Sequence, residues 1–379
     1  MAVDWKSLRP HVPASWDAAG SGGLPVYVPR PENHSLDALI RETTEPVAVV
    51  GPAGSGKSSA LGRVSAEHIS GVVFVPVLTD HAREYFLSLP PGEPDDPAFR
   101  ALVTPASVSD VLLATEHVLG RALLARGIPD ASGSHDPSAW DVRTRKGLSN
   151  LDAVRSLARE WRRVRGASQL VLLLDGMERL PAETIRADLE RLLLLREELR
   201  VVAVLPAQVF YGPDGAWMTE QFRVYSVPPV VVAPTNSPHA AAGRAFLREV
   251  LRTRVGDEGM RASADVLESA ISLSGGIPRT FLQLVQDSAM YARLAGREVL
   301  RETDLTAAVK DQRQSLRRLL DQGDKQEILR ADGTDGAEIP RERRARLIAS
   351  GLLLEYEEDG ELVVHPAPIL EPILRRPAA

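Results

Sequence analysis

The stretch Pro46-Val47-Ala48-Val49-Val50-Gly51-Pro52-Ala53-Gly54-Ser55-Gly56-Lys57-Ser58-Ser59 decides the fold. Its first half is a short apolar, β-branched run, the mark of a parallel strand buried on both faces. Its second half fits Gly-x4-Gly-Lys-Ser at every position. Glycines let the backbone curl so that successive N–H groups converge on phosphate oxygens. The helix expected from Lys57 adds its positive N-terminal end. Lys57 is placed to reach the terminal phosphates and the Ser58 hydroxyl to ligate Mg²⁺. The expected phosphate-binding set therefore runs from Gly51 to Ser59.

Leu170-Val171-Leu172-Leu173-Leu174-Asp175 is a second buried strand, ending in an acid. In an open parallel sheet such a strand delivers its carboxylate to the edge where ligands bind. Asp175 is the expected partner of Ser58 at the metal, held through water. At least one strand candidate, Val72 to Val77, separates the two motifs along the chain. Gly176 follows the acid directly, so Glu178 is the nearest carboxylate able to polarise an attacking water.

Outward from these motifs, Val201 to Leu205 and Val230 to Val232 read as further strands. Helices are expected over Lys57–Ile69, Ser107–Arg126, Leu151–Val164 and Ala182–Glu198. Alternating strands and helices make a mainly parallel α/β sheet. From about Pro238 the texture is helical only, with candidates at 240–255, 264–272, 279–294 and 302–320. The last fifty residues then read as a helix from Arg341 and two strands around an Asp359-Gly360 turn. The expected organisation is a lead-in segment over 1–40, a core over 41–237, a helical lid over 238–322 and a small helix-plus-wing unit over 323–379.

Composition narrows the class. Of 379 residues, 44% are hydrophobic and 25% charged, enough for real cores. A formal net charge of -6 provides no global field for nucleic acid. The chain has no cysteine, which excludes thiolate metal sites and suits a reducing compartment. With no long apolar run and no basic-then-apolar leader, the expected location is the cytoplasm, away from membranes.

Ser274-Gly275-Gly276-Ile277-Pro278-Arg279 resembles the sensor-2 element of AAA+ ATPases, above all the origin-recognition-like branch and the related STAND signalling ATPases. Asp175-Gly176-Met177-Glu178 looks like the STAND version of the acid motif, and Phe246 to Arg254 resembles the first lid helix of the origin-recognition-like branch. The resemblance implies an additional-strand P-loop NTPase core with a parallel sheet, an all-helical lid and a winged helix. It implies ATP and Mg²⁺ as cofactors and ATP hydrolysis as the activity. Pro278 and Arg279 would reach back from the lid to the nucleotide. Arg223 falls where relatives carry an arginine finger acting on a neighbour. Tyr27-Val28-Pro29-Arg30 resembles the box that contacts the adenine. The sensor-1 place is occupied by Leu205-Pro206-Ala207, with Gln208 the nearest polar candidate.

Two functions follow as expectations. One is a nucleotide-controlled switch that governs self-association or engagement of a protein partner. The other is an initiator-like or transposition-regulator-like ATPase that oligomerises on duplex DNA. A small-molecule phosphotransferase is a third class, for which no acceptor pocket is visible. A DNA-reading wing should be basic, yet this one carries Glu355, Glu357, Glu358, Asp359 and Glu361. Arg341, Arg343, Arg344 and Arg346 precede it, either as a phosphate-contacting face or paired with Glu338 and Glu342. Arg159, Arg162, Arg163 and Arg165, around Trp161, form a second basic cluster.

Overall fold

The computed structural model describes residues 28–31, 36–66, 72–76, 115, 150–166, 169–177, 180, 182–234, 237–255, 262–358 and 360–375. The expected helix over 107–126 and the polar stretch 129–150 fall almost wholly outside them. Among the described residues, α1 (Leu36–Glu42) leads into β1 (Val47–Val50), and α2 (Lys57–Ala66) follows the glycine loop. Then come β2 (Val72–Pro76), α3 (Asn150–Arg165), β3 (Leu170–Asp175), α4 (Ala182–Leu193) and β4 (Leu199–Val204). Two short helices, α5 (Ala207–Tyr211) and α6 (Gly215–Gln221), precede β5 (Arg223–Ser226).

These strands form one parallel sheet in the order β2-β3-β4-β1-β5. The strand inserted in space between the P-loop strand and the acid-bearing strand is therefore β4, whereas β2 lies at the edge beyond β3. Alternation sorts the side chains by face. Ala48, Val50, Leu172, Leu174, Val201 and Ala203 join one core with residues of α3 and α4. Val47, Val49, Leu173, Val202 and Val204 join another with residues of α1 and α2. Both faces of the central strands β1, β3 and β4 are covered, which explains why Arg200 and the terminal Asp175 are their only polar residues.

The expected strand at Val230–Val232 does not form; the fifth strand is Arg223–Ser226. Pro228 and Pro229 bring no N–H to a ladder, and Val230 N–H instead donates to the Gly276 carbonyl at 3.1 Å. The β-branched run packs into the following helices.

Those helices are α7 (Pro238–Val255), α8 (Ala264–Leu273), α9 (Pro278–Leu294) and α10 (Glu302–Arg317). Next come α11 (Gln322–Ala331), α12 (Arg341–Ala349) and the antiparallel pair β6 (Leu353–Glu358) and β7 (Glu361–Pro366). The pairing of Glu358 with Glu361 leaves a two-residue turn, with Gly360 at φ 83°. A 3₁₀ turn at Pro368–Leu370 and α13 (Glu371–Leu374) close the described chain. One continuous apolar core runs from Phe246, Leu247 and Phe281 on α7 and α9 to Leu347, Leu354, Val364 and Leu370 in the C-terminal segment. No helix among the described residues is long and apolar enough to cross a membrane.

Candidate functional site

The glycine loop leaves the C-terminal end of β1 and turns into α2 at Lys57. Gly54 adopts φ +83°, and a Cβ built there would lie 2.4 Å from the Cβ of Arg279. Both facts demand glycine. The same approach brings the Arg279 N–H to the Gly54 carbonyl at 3.3 Å. Thus the N-terminus of α9, with Pro278 in its first turn, sits directly on the P-loop, and the exposed Arg279 side chain starts from there.

Ser58 Oγ donates to Asp175 Oδ1 at 3.0 Å, so the two distant motifs meet at the sheet edge. Asp175 is buried at 2% exposure. Lys57 Nζ donates to the Gly51 and Pro52 carbonyls, both at 2.9 Å, folded back over the loop where phosphate oxygens would compete for it. Ser55 Oγ is buried and has no hydrogen-bond partner among the described residues. Gly51 and Gly56 also hold positive φ, Pro52 is buried, and Ala53 and Ser59 are exposed. A buried carboxylate beside a hydroxyl, a lysine held by replaceable carbonyls and an orphaned hydroxyl fit a phosphate chain with Mg²⁺. Ligand-rich cation cages need more donors; among the described residues no group of three His, Asp or Glu side chains is placed to hold a metal.

Arg30 guards the back of the loop. It donates to the Ser55 carbonyl at 2.7 Å and the Pro228 carbonyl at 2.5 Å, with its guanidinium 5.9 Å from the Phe246 ring centroid. Val28 packs on the same helical core, while Tyr27 lies outside the described residues. Glu178 lies outside them too. Gln208 is exposed on α5.

Arg223 starts β5, registered against Val47, and its N–H donates to the Pro46 carbonyl at 2.8 Å. In a parallel pair this is the sheet edge opposite the P-loop, about 10 Å away along the four-residue strand. A cavity of about 620 Å³ opens there, lined by Glu45, Gln169, Arg196, Glu220 and Arg223 among others. The exposed Arg223 stands apart from its own phosphate loop.

The arginines of α12 find partners that neighbour-counting missed. Arg343 donates to Glu327 at 2.5 Å, Arg346 to the fully buried Asp324, and Arg344 to Glu355 at 2.8 Å. None of these acids is Glu338 or Glu342. On α3, Arg159 binds Glu198 at 2.7 Å, Arg162 the Glu197 carbonyl at 3.1 Å, and Arg163 Glu160 at 2.5 Å. Trp161 is buried in the sheet's core.

Sequence reading also missed a junction between α5 and the C-terminal hairpin. The Tyr211 hydroxyl donates to the Glu355 carboxylate, and the Arg344 guanidinium lies 4.9 Å from the Tyr211 ring centroid. Burial first, then the Glu355 charge, pushes the Tyr211 phenol well above its ordinary range, so it remains a donor. Glu355 is one of three glutamates on β6, and its tyrosine partner lies 144 residues away, so the sequence carried no signal for it.

No family model and no curated protein sequence matches the chain. Among solved structures, the ADPNP–ADP complexes of the ORC2 protein of Aeropyrum pernix align at TM-score 0.45 and 15% identity, covering 87% of this chain and 88% of that one. The Aeropyrum pernix ORC1 protein in complex with DNA aligns at 0.43 and 16%, covering 96% of each. The RuvB Holliday junction branch migration motor of Thermotoga maritima aligns at 0.40 and 11%, covering 90% and 92%.

Proposed function

We propose that this chain binds ATP with Mg²⁺ and hydrolyses it as a switch of the AAA+/STAND type, controlling self-association or engagement of a protein partner. The observation that carries the reading is the Ser58–Asp175 hydrogen bond at the mouth of the glycine loop. Lys57 would exchange its loop carbonyls for the β- and γ-phosphates, and Ser58 with Asp175 would hold the metal, which neutralises charge developing on the phosphates. Gly51 to Ser59 would wrap the phosphate chain. Arg279, carried by α9 against Gly54, would approach the γ-phosphate and make lid position depend on the nucleotide. Glu178 would orient the attacking water.

Arg223, on the far edge of its own sheet, would serve as the finger for a neighbouring copy. Its distance from its own P-loop supports a role in trans. The domain plan that suits this reading is a core over 41–237, a lid over 238–322 and a winged helix over 323–379. Proteins are favoured over DNA as partners because three of the four α12 arginines are engaged by internal acids. Exposed Glu357 and Glu361 on the hairpin add the wrong sign for phosphate.

The test is steady-state ATP turnover across protein concentrations, with and without duplex DNA, on the wild type and on Arg223→Ala. Turnover that rises with protein concentration, ignores DNA and loses its concentration dependence in the variant supports the switch. Strong stimulation by DNA overturns it in favour of a DNA-loaded ATPase.

A further inference from the structure

The loop between β1 and α2 is tied by local backbone bonds on either side of one peptide. Ser55 N–H donates to the Pro52 carbonyl at 3.3 Å, and Ala60 N–H draws the Gly56 carbonyl into the start of α2 at 2.9 Å. The peptide that joins Ser55 to Gly56 lies between them and has no such tie. No backbone N–H among the described residues donates to the Ser55 carbonyl, and the buried Ser55 hydroxyl has no partner there either. Gly56 adds freedom of its own. Its φ is +106°, and a Cβ built on it would meet nothing within 4 Å. Glycine therefore serves torsion and not space at this position. A residue that accepts either sign of φ lets the peptide before it turn over at small cost.

The orientation of that peptide decides what the loop presents to a phosphate. The bond is trans, so its carbonyl and its N–H point in opposite directions. With the Ser55 carbonyl turned outward, the Gly56 N–H faces into the loop at the start of α2, where an anion is held. No carbonyl among the described residues takes that N–H. Turned over, the same peptide would set a carbonyl dipole against the phosphate oxygens.

Arg30 holds the carbonyl outward. Its Nη1 donates to the Ser55 oxygen at 2.7 Å. The guanidinium is itself fixed from two further sides. Its Nη2 donates to the Pro228 carbonyl at 2.5 Å, and its Cζ lies 5.9 Å from the Phe246 ring centroid. Pro228 follows Val227, whose N–H donates to the Val50 carbonyl at 2.8 Å. The frame that fixes Arg30 is thus bonded to the strand that carries the loop. A charged donor makes one of the stronger hydrogen bonds that a carbonyl can accept.

We propose that Arg30 is a positioning residue for the phosphate chain: it keeps the Ser55–Gly56 peptide with its N–H toward the bound phosphates, and it acts through the loop, not through the adenine. This deepens the ATP-binding reading above and rests on it.

The test titrates the full chain calorimetrically, in Mg²⁺, with ADP and with inorganic pyrophosphate, which carries phosphates and no base. Arg30→Ala should weaken both ligands about tenfold and by the same factor. Arg30→Lys keeps the charge and one donor for a carbonyl, and should recover part of both losses together. It also carries the comparison if a thermal melt shows the alanine variant to be unfolded. Weaker ADP with unchanged pyrophosphate would assign Arg30 to the adenine and overturn the clamp. Unchanged affinity for both ligands in a folded Arg30→Ala would overturn it as well. A wild-type chain that binds neither ligand would remove the ATP-binding reading itself, and the clamp with it.

Discussion

The phosphate edge and the C-terminal helix α12 are both rich in functional-looking residues, yet they differ in how their residues find partners. Within the glycine loop Lys57 finds partners close in sequence, at Gly51 and Pro52, six and five residues back, while Gly54, Ser55 and Ser58 reach partners far along the chain, at Arg279, Arg30 and Asp175. Backbone conformation does most of the work there, and backbone conformation is written locally. On α12 the partners are 11 to 22 residues away: Glu355, Glu327 and Asp324. A run of arginines that reads as a basic face is consumed by internal acids. Local chemistry announces itself in a sequence; charge neutralised at a distance does not.

The sharpest break of this comparison is at Lys57. Lys57→Ala removes the ammonium that the loop carbonyls hold in readiness for phosphate. Nucleotide affinity should fall about 100-fold or more, since charge-assisted bonds to phosphate are lost. The fold should survive, because the loop's course is set by its glycines and the lysine donates to carbonyls of the loop itself. Equilibrium binding of a fluorescent ATP analogue, read beside the thermal melt, checks both halves. Unchanged affinity would sink the nucleotide reading.

A second variant probes the close approach of the Gly275-Gly276 turn to the segment after β5. Gly276 has φ +79°, and any Cβ there meets the Val230 carbonyl at 1.8 Å. Gly276→Ala should cost about 3 kcal/mol or more from backbone strain and collision together. Chemical denaturation gives the number. A cost below about 1 kcal/mol would show that the segment at Val230 gives way and that this approach is less rigid than its distance implies.

Much of this was legible. The P-loop, the Asp175 strand and the Gly275-Gly276 turn each combine a backbone demand with a chemical one, and the structure brings all three to one edge. The run Val230-Val231-Val232 was misread because β-branched alternation marks burial, not hydrogen-bond partners; its partner is Gly276, reached only through the tertiary fold. Helices α1, α5 and α6 are too short for periodicity to declare. The junction at Tyr211 was invisible for the same reason as the α12 pairs. Each member looks like an ordinary surface side chain until the fold brings them together.

The finest test of the comparison lies within α12 itself. Arg346 reaches the fully buried Asp324, whose other oxygen accepts the Asp321 N–H at 2.9 Å and caps α11. Arg346→Ala leaves the more distant Arg343, at 3.7 Å, as that carboxylate's nearest cation, and should lower stability by about 1–2 kcal/mol. Arg341 is exposed and makes no ion pair among the described residues. Arg341→Ala should therefore change stability by less than about 0.5 kcal/mol. Urea unfolding of the two variants side by side measures the contrast. Equal costs would mean that position along the helix, not the buried partner, sets each arginine's contribution. A loss confined to Arg346 would establish that this apparently basic face is organised around an internal acid, and would leave little of it free to hold phosphate.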